Sequence, residues 1–347
     1  MRRLPAIALA ALLLAPAAAR AAPADTAGFR DWMTACDNVG DCMALGFTEG
    51  EYAIGPYLVV QRAAGPDAGP EISVALVAEE RDAAAGATVR VTVKGGPRPQ
   101  SFTTVAMDGD SGAYALFVAA EANDLVRAIR DGRSIDVEVN GTVFGTVSLA
   151  GSSAALRWID DRQGRAGNVT AMVATGPKPA SAVPAAKPLP VVRLAAGVSQ
   201  DNLPTGLPPG LASRADVKAC AEEHADPEGA FGSVEAQRLS ANEYLWSIPC
   251  GRGAYNFSAL YVIAGRDGSG ARSPGLGDDD TLVNGGYDPE SRRLGAFNKG
   301  RGFGDCGQED EFAWDGRRFQ PIRRAELNEC RGVPSEHWLV TWRAEAR

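Results

Sequence analysis

Six cysteines constrain the fold of this chain more than any other feature of its sequence. They are Cys36, Cys42, Cys220, Cys250, Cys306 and Cys330. In an oxidising compartment an even number of cysteines favours disulfides over metal ligation, although the count alone leaves many pairings open. The simplest hypothesis pairs neighbours along the chain: Cys36 with Cys42, Cys220 with Cys250, and Cys306 with Cys330. No Cys-x-x-Cys spacing occurs, and we predict neither a zinc site nor a redox motif.

The N-terminus indicates that the chain is exported. Arg2 and Arg3 precede an apolar run over residues 6–19, and Ala19-Arg20-Ala21 places small residues at both positions that a signal peptidase reads. The run is shorter than the roughly 20 residues that a transmembrane helix needs. We therefore predict a signal peptide over residues 1–21, a periplasmic or secreted protein, and no membrane span.

Charge excludes one large class of partner. The 347 residues carry a net charge of -8, so a general attraction to nucleic acid is not expected. Only two histidines are present, which argues against a site built from several histidines. No motif in the sequence predicts a cofactor.

Residues 28–175 are predicted to form a β-rich α+β domain. Residues 88–93 alternate between polar and apolar side chains, as in a strand with one buried face. Asn140-Gly141 between two such runs predicts a two-residue hairpin turn. Helices are expected over residues 120–131 and over residues 152–160, the second with a serine N-cap.

Residues 176–210 contain eight prolines and many alanines, a composition that predicts an extended linker. Residues 211–347 are predicted to form a second, mostly antiparallel β domain with disulfides. A short helix is expected over residues 213–223, and a two-residue hairpin turn at Asp315-Gly316. The predicted fold is thus α+β, with two β-rich domains joined by a Pro/Ala-rich linker.

Several strings of residues resemble one family. They are Asp31-Trp32, Cys36-Asp37-Asn38 with Cys42, the run from Ser148 to Trp158, Gly300-Arg301-Gly302, Gly304-Asp305-Cys306-Gly307, Trp314-Asp315-Gly316 and Cys330-Arg331-Gly332-Val333. Together with the exported start and the six cysteines, they make the chain similar to the bacterial exported family called domain of unknown function 1176. The resemblance implies a six-cysteine exported architecture and no established activity.

Two Gly-Arg-Gly strings are the candidate binding elements. Glycines let a ligand approach the backbone, and arginine offers five donors that suit carboxylates and phosphates. Each arginine is followed by an aromatic residue, and neither string has the lysine of a phosphate-binding loop. The predicted ligand-binding residues are Arg252, Tyr255, Arg301, Phe303 and Asp305. The alternative is two structural turns, with an arginine paired to an acidic neighbour such as Asp305.

The function hypothesis is a non-enzymatic protein of the cell envelope that binds a protein or a cell-wall component. The alternative is a secreted hydrolase that uses carboxylates from Asp305 to Glu311, since acid–base hydrolysis needs two carboxylates about 5 to 10 Å apart. Neither His224 nor His337 has a recognisable catalytic partner in the sequence. The loop Asp278-Asp279-Asp280 either holds calcium or is a solvated acidic loop, because it lacks the ligand spacing of an EF-hand.

Overall fold

A computed structural model describes residues 25–50, 52–78, 83–223 and 233–347. The predicted signal peptide and His224 lie outside these residues. The described chain is mostly antiparallel β-structure with a few helices. None of its described helices is both long enough and apolar enough to cross a bilayer.

Ten strands of the first half form one antiparallel sheet, in the order β1-β2-β3-β4-β5-β8-β7-β6-β9-β10. Their bounds are β1 Asp25–Phe29, β2 Trp32–Cys36, β3 Cys42–Gly46, β4 Tyr57–Arg62, β5 Pro70–Ala75, β6 Thr88–Lys94, β7 Gln100–Met107, β8 Tyr114–Phe117, β9 Ser134–Val139 and β10 Thr142–Ser148. The predicted hairpin is confirmed: Thr142 pairs with Val139. Asn140 and Gly141 both have positive φ, 50° and 79°, as a type I′ turn requires.

Both predicted helices of the first half are present, as α1 (Ala119–Asp131) and α2 (Ser152–Arg162). Their apolar faces pack on one face of the ten-stranded sheet. The serine cap was wrong: the N-cap is Gly151 at φ 102°, and Ser152 is the first helical residue. A Cβ at Gly151 would lie 1.7 Å from the carbonyl oxygen of Phe29, so this close approach requires glycine.

The second half contains two further antiparallel sheets and two short helices. One sheet has the order β12-β13-β14-β15 and the other β16-β17-β18-β19-β20. The bounds are α3 Pro209–Ala212, α4 Ala215–Glu223, β12 Glu235–Arg238, β13 Tyr244–Arg252, β14 Phe257–Ala264, β15 Thr281–Val283, β16 Gly286–Asp288, β17 Arg293–Lys299, β18 Gly307–Trp314, β19 Phe319–Leu327 and β20 Leu339–Arg343. Helix α4 confirms the helix expected over residues 213–223.

The hairpin between β18 and β19 differs from its prediction. Trp314 pairs with Phe319, so the loop has four residues rather than two. Its length follows from Asp315, whose Oδ1 accepts hydrogen bonds from the backbone N–H groups of Arg317 and Arg318. This side-chain turn lengthens the loop around Gly316.

Strands β2 to β4 bury most of both of their faces. In β4, Leu58 and Val60 join the cluster under the helices, whereas Tyr57 and Val59 face the five-stranded sheet. Successive side chains of a strand point to opposite faces, so such a strand is apolar throughout. The second cluster also contains residues from the C-terminal half: Ala325, Leu327, Val333, Trp338 and Leu339. One hydrophobic cluster therefore draws on residues from both sides of the proline-rich segment, and the division into two domains stays a prediction.

The proline-rich segment contacts both halves. The backbone N–H of Lys187 donates to the carbonyl of Val39. Farther on, β11 (Val191–Val192) pairs in parallel with β21 (Glu345–Ala346), the last strand of the chain. These contacts hold the segment against the protein along part of its length.

The structure contains the three disulfides predicted from the order of the cysteines: Cys36–Cys42, Cys220–Cys250 and Cys306–Cys330. The first joins the facing ends of β2 and β3, and the second ties α4 to β13. Structural disulfides of this kind persist in oxidising compartments. They indicate a protein that resides outside the cytoplasm.

Candidate functional site

The two Gly-Arg-Gly loops lie side by side. Tyr255, beyond the end of β13, donates a hydrogen bond from its hydroxyl to the carbonyl of Gly300, at 3.3 Å. Asn256 donates from its amide to the carbonyl of Lys299, at 2.9 Å. The second loop closes on itself through the backbone N–H of Gly300, which donates to the carbonyl of Cys306. The Cys306–Cys330 disulfide anchors the end of that loop.

Arg301 forms an ion pair within its own loop. Its Nε and Nη2 donate to the two carboxylate oxygens of Asp305, at 2.7 and 2.5 Å. Asp305 is buried, and its Oδ2 also accepts the backbone N–H of Gly332. Burial raises the pKa of Asp305, but the hydrogen bonds from Arg301 and Gly332 outweigh it and lower that pKa below its ordinary value. One edge of the Arg301 guanidinium is therefore already occupied by a carboxylate.

Aromatic rings flank the same guanidinium. Its central carbon lies 5.5 Å from the ring centroids of both Tyr52 and Phe303, a cation–π distance. Phe303 is 86% exposed and Tyr52 is 57% exposed, while Tyr255 borders the loop at Gly302. We call Tyr52, Tyr255, Arg301 and Phe303 the aromatic–arginine surface.

Tyr52 belongs to this surface because a second arginine holds its loop in place. Arg331 is buried and donates from Nη1 to the carbonyls of Thr48 and Gly50. Its guanidinium also lies 5.6 Å from the ring of Phe47. The sequence reasoning missed Tyr52, since nothing local indicates that its loop meets one about 250 residues farther along the chain.

Arg252 is exposed at the end of β13, where it pairs with Phe257 of β14. The structure thus brings together Tyr255, Arg301, Phe303 and Asp305, and places Arg252 at the start of the neighbouring loop. Whether these residues bind a ligand stays a prediction.

The carboxylates proposed for hydrolysis are all paired with arginines. Asp305 pairs with Arg301, and three pairs cross between strands of the five-stranded sheet: Glu309 with Arg323, Asp310 with Arg324, and Glu311 with Arg293. For Asp305, the hydrogen bonds from Arg301 and Gly332 lower the pKa, which disfavours the protonated form that a general acid needs. These pairings suit structural cross-links between strands.

The acidic loop suggested for calcium uses its oxygens locally. Asp280 accepts the backbone N–H of Leu276, and Asp279 accepts that of Thr281. Elsewhere in the described residues, three potential metal ligands meet at Asp305, Cys306 and Cys330. Both sulfurs there form a disulfide and cannot ligate a metal as thiolates.

His337 has a partner that its sequence context did not reveal. Its Nδ1 shares a 2.5 Å hydrogen bond with the hydroxyl of Tyr57, and both residues lie where the two halves meet. Burial lowers the pKa of His337, so the neutral ring can accept a hydrogen bond from the hydroxyl of Tyr57. His337 also lines a cavity of about 250 Å³ with Ser73 and Ser111. Its described lining includes no carboxylate, which a Ser-His-Asp triad would need.

Comparison with known proteins identifies the family and no activity. The chain is 28% identical over 350 residues to the uncharacterized protein YpfG of Escherichia coli (strain K12), and the alignment covers 93% of each chain. No solved structure matches it. The model of the protein family of unknown function DUF1176 matches residues 26–345, nearly all of the described chain. The chain belongs to the DUF1176 family.

Proposed function

We propose that this protein is an exported, non-enzymatic component of the cell envelope, periplasmic or secreted, which binds a protein or a cell-wall component. The proposal places the binding contact on the aromatic–arginine surface. The observation that carries it is the exposure of Phe303 beside Arg301. Aromatic residues and arginine are enriched at the centres of protein interfaces, where a few of them supply most of the binding energy.

The local geometry supports a role in binding. The loop that carries Phe303 is closed by backbone hydrogen bonds and ends at a disulfide, so its ordering costs little on binding. Arg301 is kept in place by Asp305, and its guanidinium carbon lies 5.5 Å from the centroids of two aromatic rings. Such a surface offers stacking platforms, which suit aromatic or sugar rings and the apolar side chains of a protein.

No observation favours the hydrolase alternative over binding. Each carboxylate from Asp305 to Glu311 that it would use forms an ion pair with an arginine. A purified protein that hydrolyses glycan, ester or peptide substrates at enzymatic rates, and loses that activity on Asp310→Asn, would overturn the binding proposal.

The test is photo-crosslinking in intact cells, with a photoreactive amino acid at position 303. We expect one dominant crosslinked product, and Phe303→Ala should weaken binding of that product at least tenfold, as loss of an interface hot spot does. Val105→Ala is the matched control, because Val105 is also apolar and exposed but lies on β7, away from the surface. Equal weakening by both substitutions, or diffuse crosslinking from position 303, contradicts the proposal.

A further inference from the structure

The first half of the protein buries two arginines around one carboxylate. Arg62, at the end of β4, is 3% exposed, and Arg165, just beyond α2, is fully buried. Between them lies Asp160 of α2, also fully buried. Burial of an ionised group is costly unless an opposite charge compensates it. The charges of this trio do not balance: two guanidinium groups share one carboxylate.

The carboxylate of Asp160 accepts hydrogen bonds from three backbone N–H groups. Both oxygens accept N–H groups from one loop: Met172 at 2.8 Å, Val173 at 2.8 Å and Ala174 at 3.1 Å. Arg62 reaches the carboxylate only at 3.8 Å, from Nη1 to Oδ1. That nitrogen is buried and has no hydrogen-bond acceptor.

The remaining contacts of the two arginines are neutral. Arg62 donates from Nε and Nη2 to the carbonyl of Ala68, at 3.2 and 3.1 Å. Arg165 donates to three neutral oxygens, those of Gln163, Thr170 and Gly65. These bonds satisfy donors but supply no negative charge, so the cluster retains an excess positive charge.

Burial and the excess positive charge lower the pKa of Arg62. Burial and the nearby charge of Arg165 lower the pKa of Arg62 to about 10, although Asp160 acts in the opposite direction. Burial likewise lowers the pKa of Arg165. Arg62 remains protonated at neutral pH, and a negative charge brought close to it would be stabilised.

Arg62 forms part of the wall of a cavity of about 350 Å³. Arg127 and Arg130 of α1 line the same cavity, and hydroxyl groups come from Thr170 and Thr175. Asp67 is the acidic residue in the lining. Arg127 pairs with Asp124 and Arg130 with Asp131, both on the exposed side of α1. The wall itself contains three arginines and one aspartate, and Arg62 is the arginine among them that has no carboxylate of the described residues within hydrogen-bond distance.

We infer that this cavity binds a small oxyanion, a phosphate or a carboxylate group, held by Arg62 together with Arg127 and Arg130. The anion supplies the negative charge that Asp160 alone does not. Guanidinium groups suit this role because their donors match the oxygens of phosphate and carboxylate. The site is separate from the aromatic–arginine surface and does not depend on the binding function proposed for it.

The test uses the whole mature protein with inorganic phosphate as the probe, in calorimetry and thermal unfolding. Sodium chloride at the same ionic strength is the reference. We expect saturable binding of phosphate and a rise in Tm that chloride does not produce. Sodium acetate in a parallel titration distinguishes a carboxylate site from a phosphate site, and saturation by either anion supports the inference. No saturable effect of either anion overturns it.

Substitutions locate the bound anion. Arg127→Ala should weaken phosphate binding about tenfold, as expected for the loss of one charge-assisted hydrogen bond. Arg62→Gln should abolish phosphate binding. If that variant does not fold, phosphate binding is measured on Arg130→Ala instead, and it should be weakened. Arg90→Ala is the matched control, since Arg90 on β6 is exposed and pairs with Glu138 but does not line the cavity. Equal weakening by Arg90→Ala would mean that net charge alone attracts phosphate, and it would overturn the site.

Discussion

The hydrophobic cluster shared by the two halves predicts that one leucine of the second half stabilises the first. Leu327 on β19 is fully buried in the cluster that contains Tyr57 and Val59 of β4. Leu327→Ala removes its contacts and leaves a cavity, which costs about 2 to 5 kcal/mol for a buried leucine. Because first-half residues line that cavity, part of this loss should appear in the stability of the first half.

Leu294 provides a matched control within the same sheet. It is also a fully buried leucine, but on β17 it faces the four-stranded sheet, in a cluster made of second-half residues. Leu294→Ala should cost a similar free energy in the second half and less in the first. The two variants thus differ mainly in which neighbours lose contacts.

Hydrogen exchange in increasing urea, resolved by peptide, is the assay. Peptides from β3 and β4 report on the first half, and peptides from β18 report on the second. We expect Leu327→Ala to lower the urea midpoint of both sets, and Leu294→Ala to lower mainly the second. If Leu327→Ala leaves the β3 and β4 peptides unchanged, the halves are energetically independent and the reasoning from the shared cluster is wrong.

Three further predictions concern individual residues. The pKa of His337 is lower in the folded protein than in the unfolded chain, so the unfolded chain binds a proton at this histidine first as the pH falls. The free energy of unfolding should therefore decline below the ordinary histidine pKa of about 6.5. Chemical denaturation of His337→Gln should show a shallower decline. Gly151→Ala should lower Tm strongly, because the new methyl group would overlap the carbonyl of Phe29. Thermal unfolding followed by circular dichroism measures this, and an unchanged Tm would contradict the need for glycine at position 151. The double substitution of Cys306 and Cys330 by serine should cost about 3 to 4 kcal/mol in urea unfolding, the loop-closure value for their separation of 24 residues, and an unchanged midpoint would refute that value.

Local features were predictable from the sequence because short-range rules govern them. Asn140-Gly141 can adopt two successive positive φ angles at low cost, which fixes its turn type. The disulfide pairs follow chain order, so counting along the chain was enough to propose them. The hairpin at Asp315 departed from its prediction because a side-chain hydrogen bond, rather than Gly316 alone, sets the loop length.

Long-range packing left a weaker signal in the sequence than the local turns did. Residues 57–60 read Tyr-Leu-Val-Val without a polar residue, whereas residues 88–93 alternate. The first pattern belongs to a strand buried on both faces and the second to a strand buried on one face. That contrast could have predicted a second layer over β4, but it could not have shown that the layer comes from Leu327 and its neighbours.

Charge pairing is the property that sequence reasoning could least supply, and it changes where an anion is expected. The sequence pointed to Arg301, yet the structure neutralises that arginine with Asp305 four residues later. Arg62 attracted no attention because nothing beside it suggests a ligand, yet it shares Asp160 with Arg165 deep in the first half. Arg301 has one edge of its guanidinium bonded to Asp305, whereas Nη1 of Arg62 is buried without an acceptor among the described residues. An added anion therefore stabilises the charge of Arg62 more than that of Arg301. On this reasoning the aromatic–arginine surface should select partners by stacking and shape, and anion recognition belongs to the cavity beside Arg62.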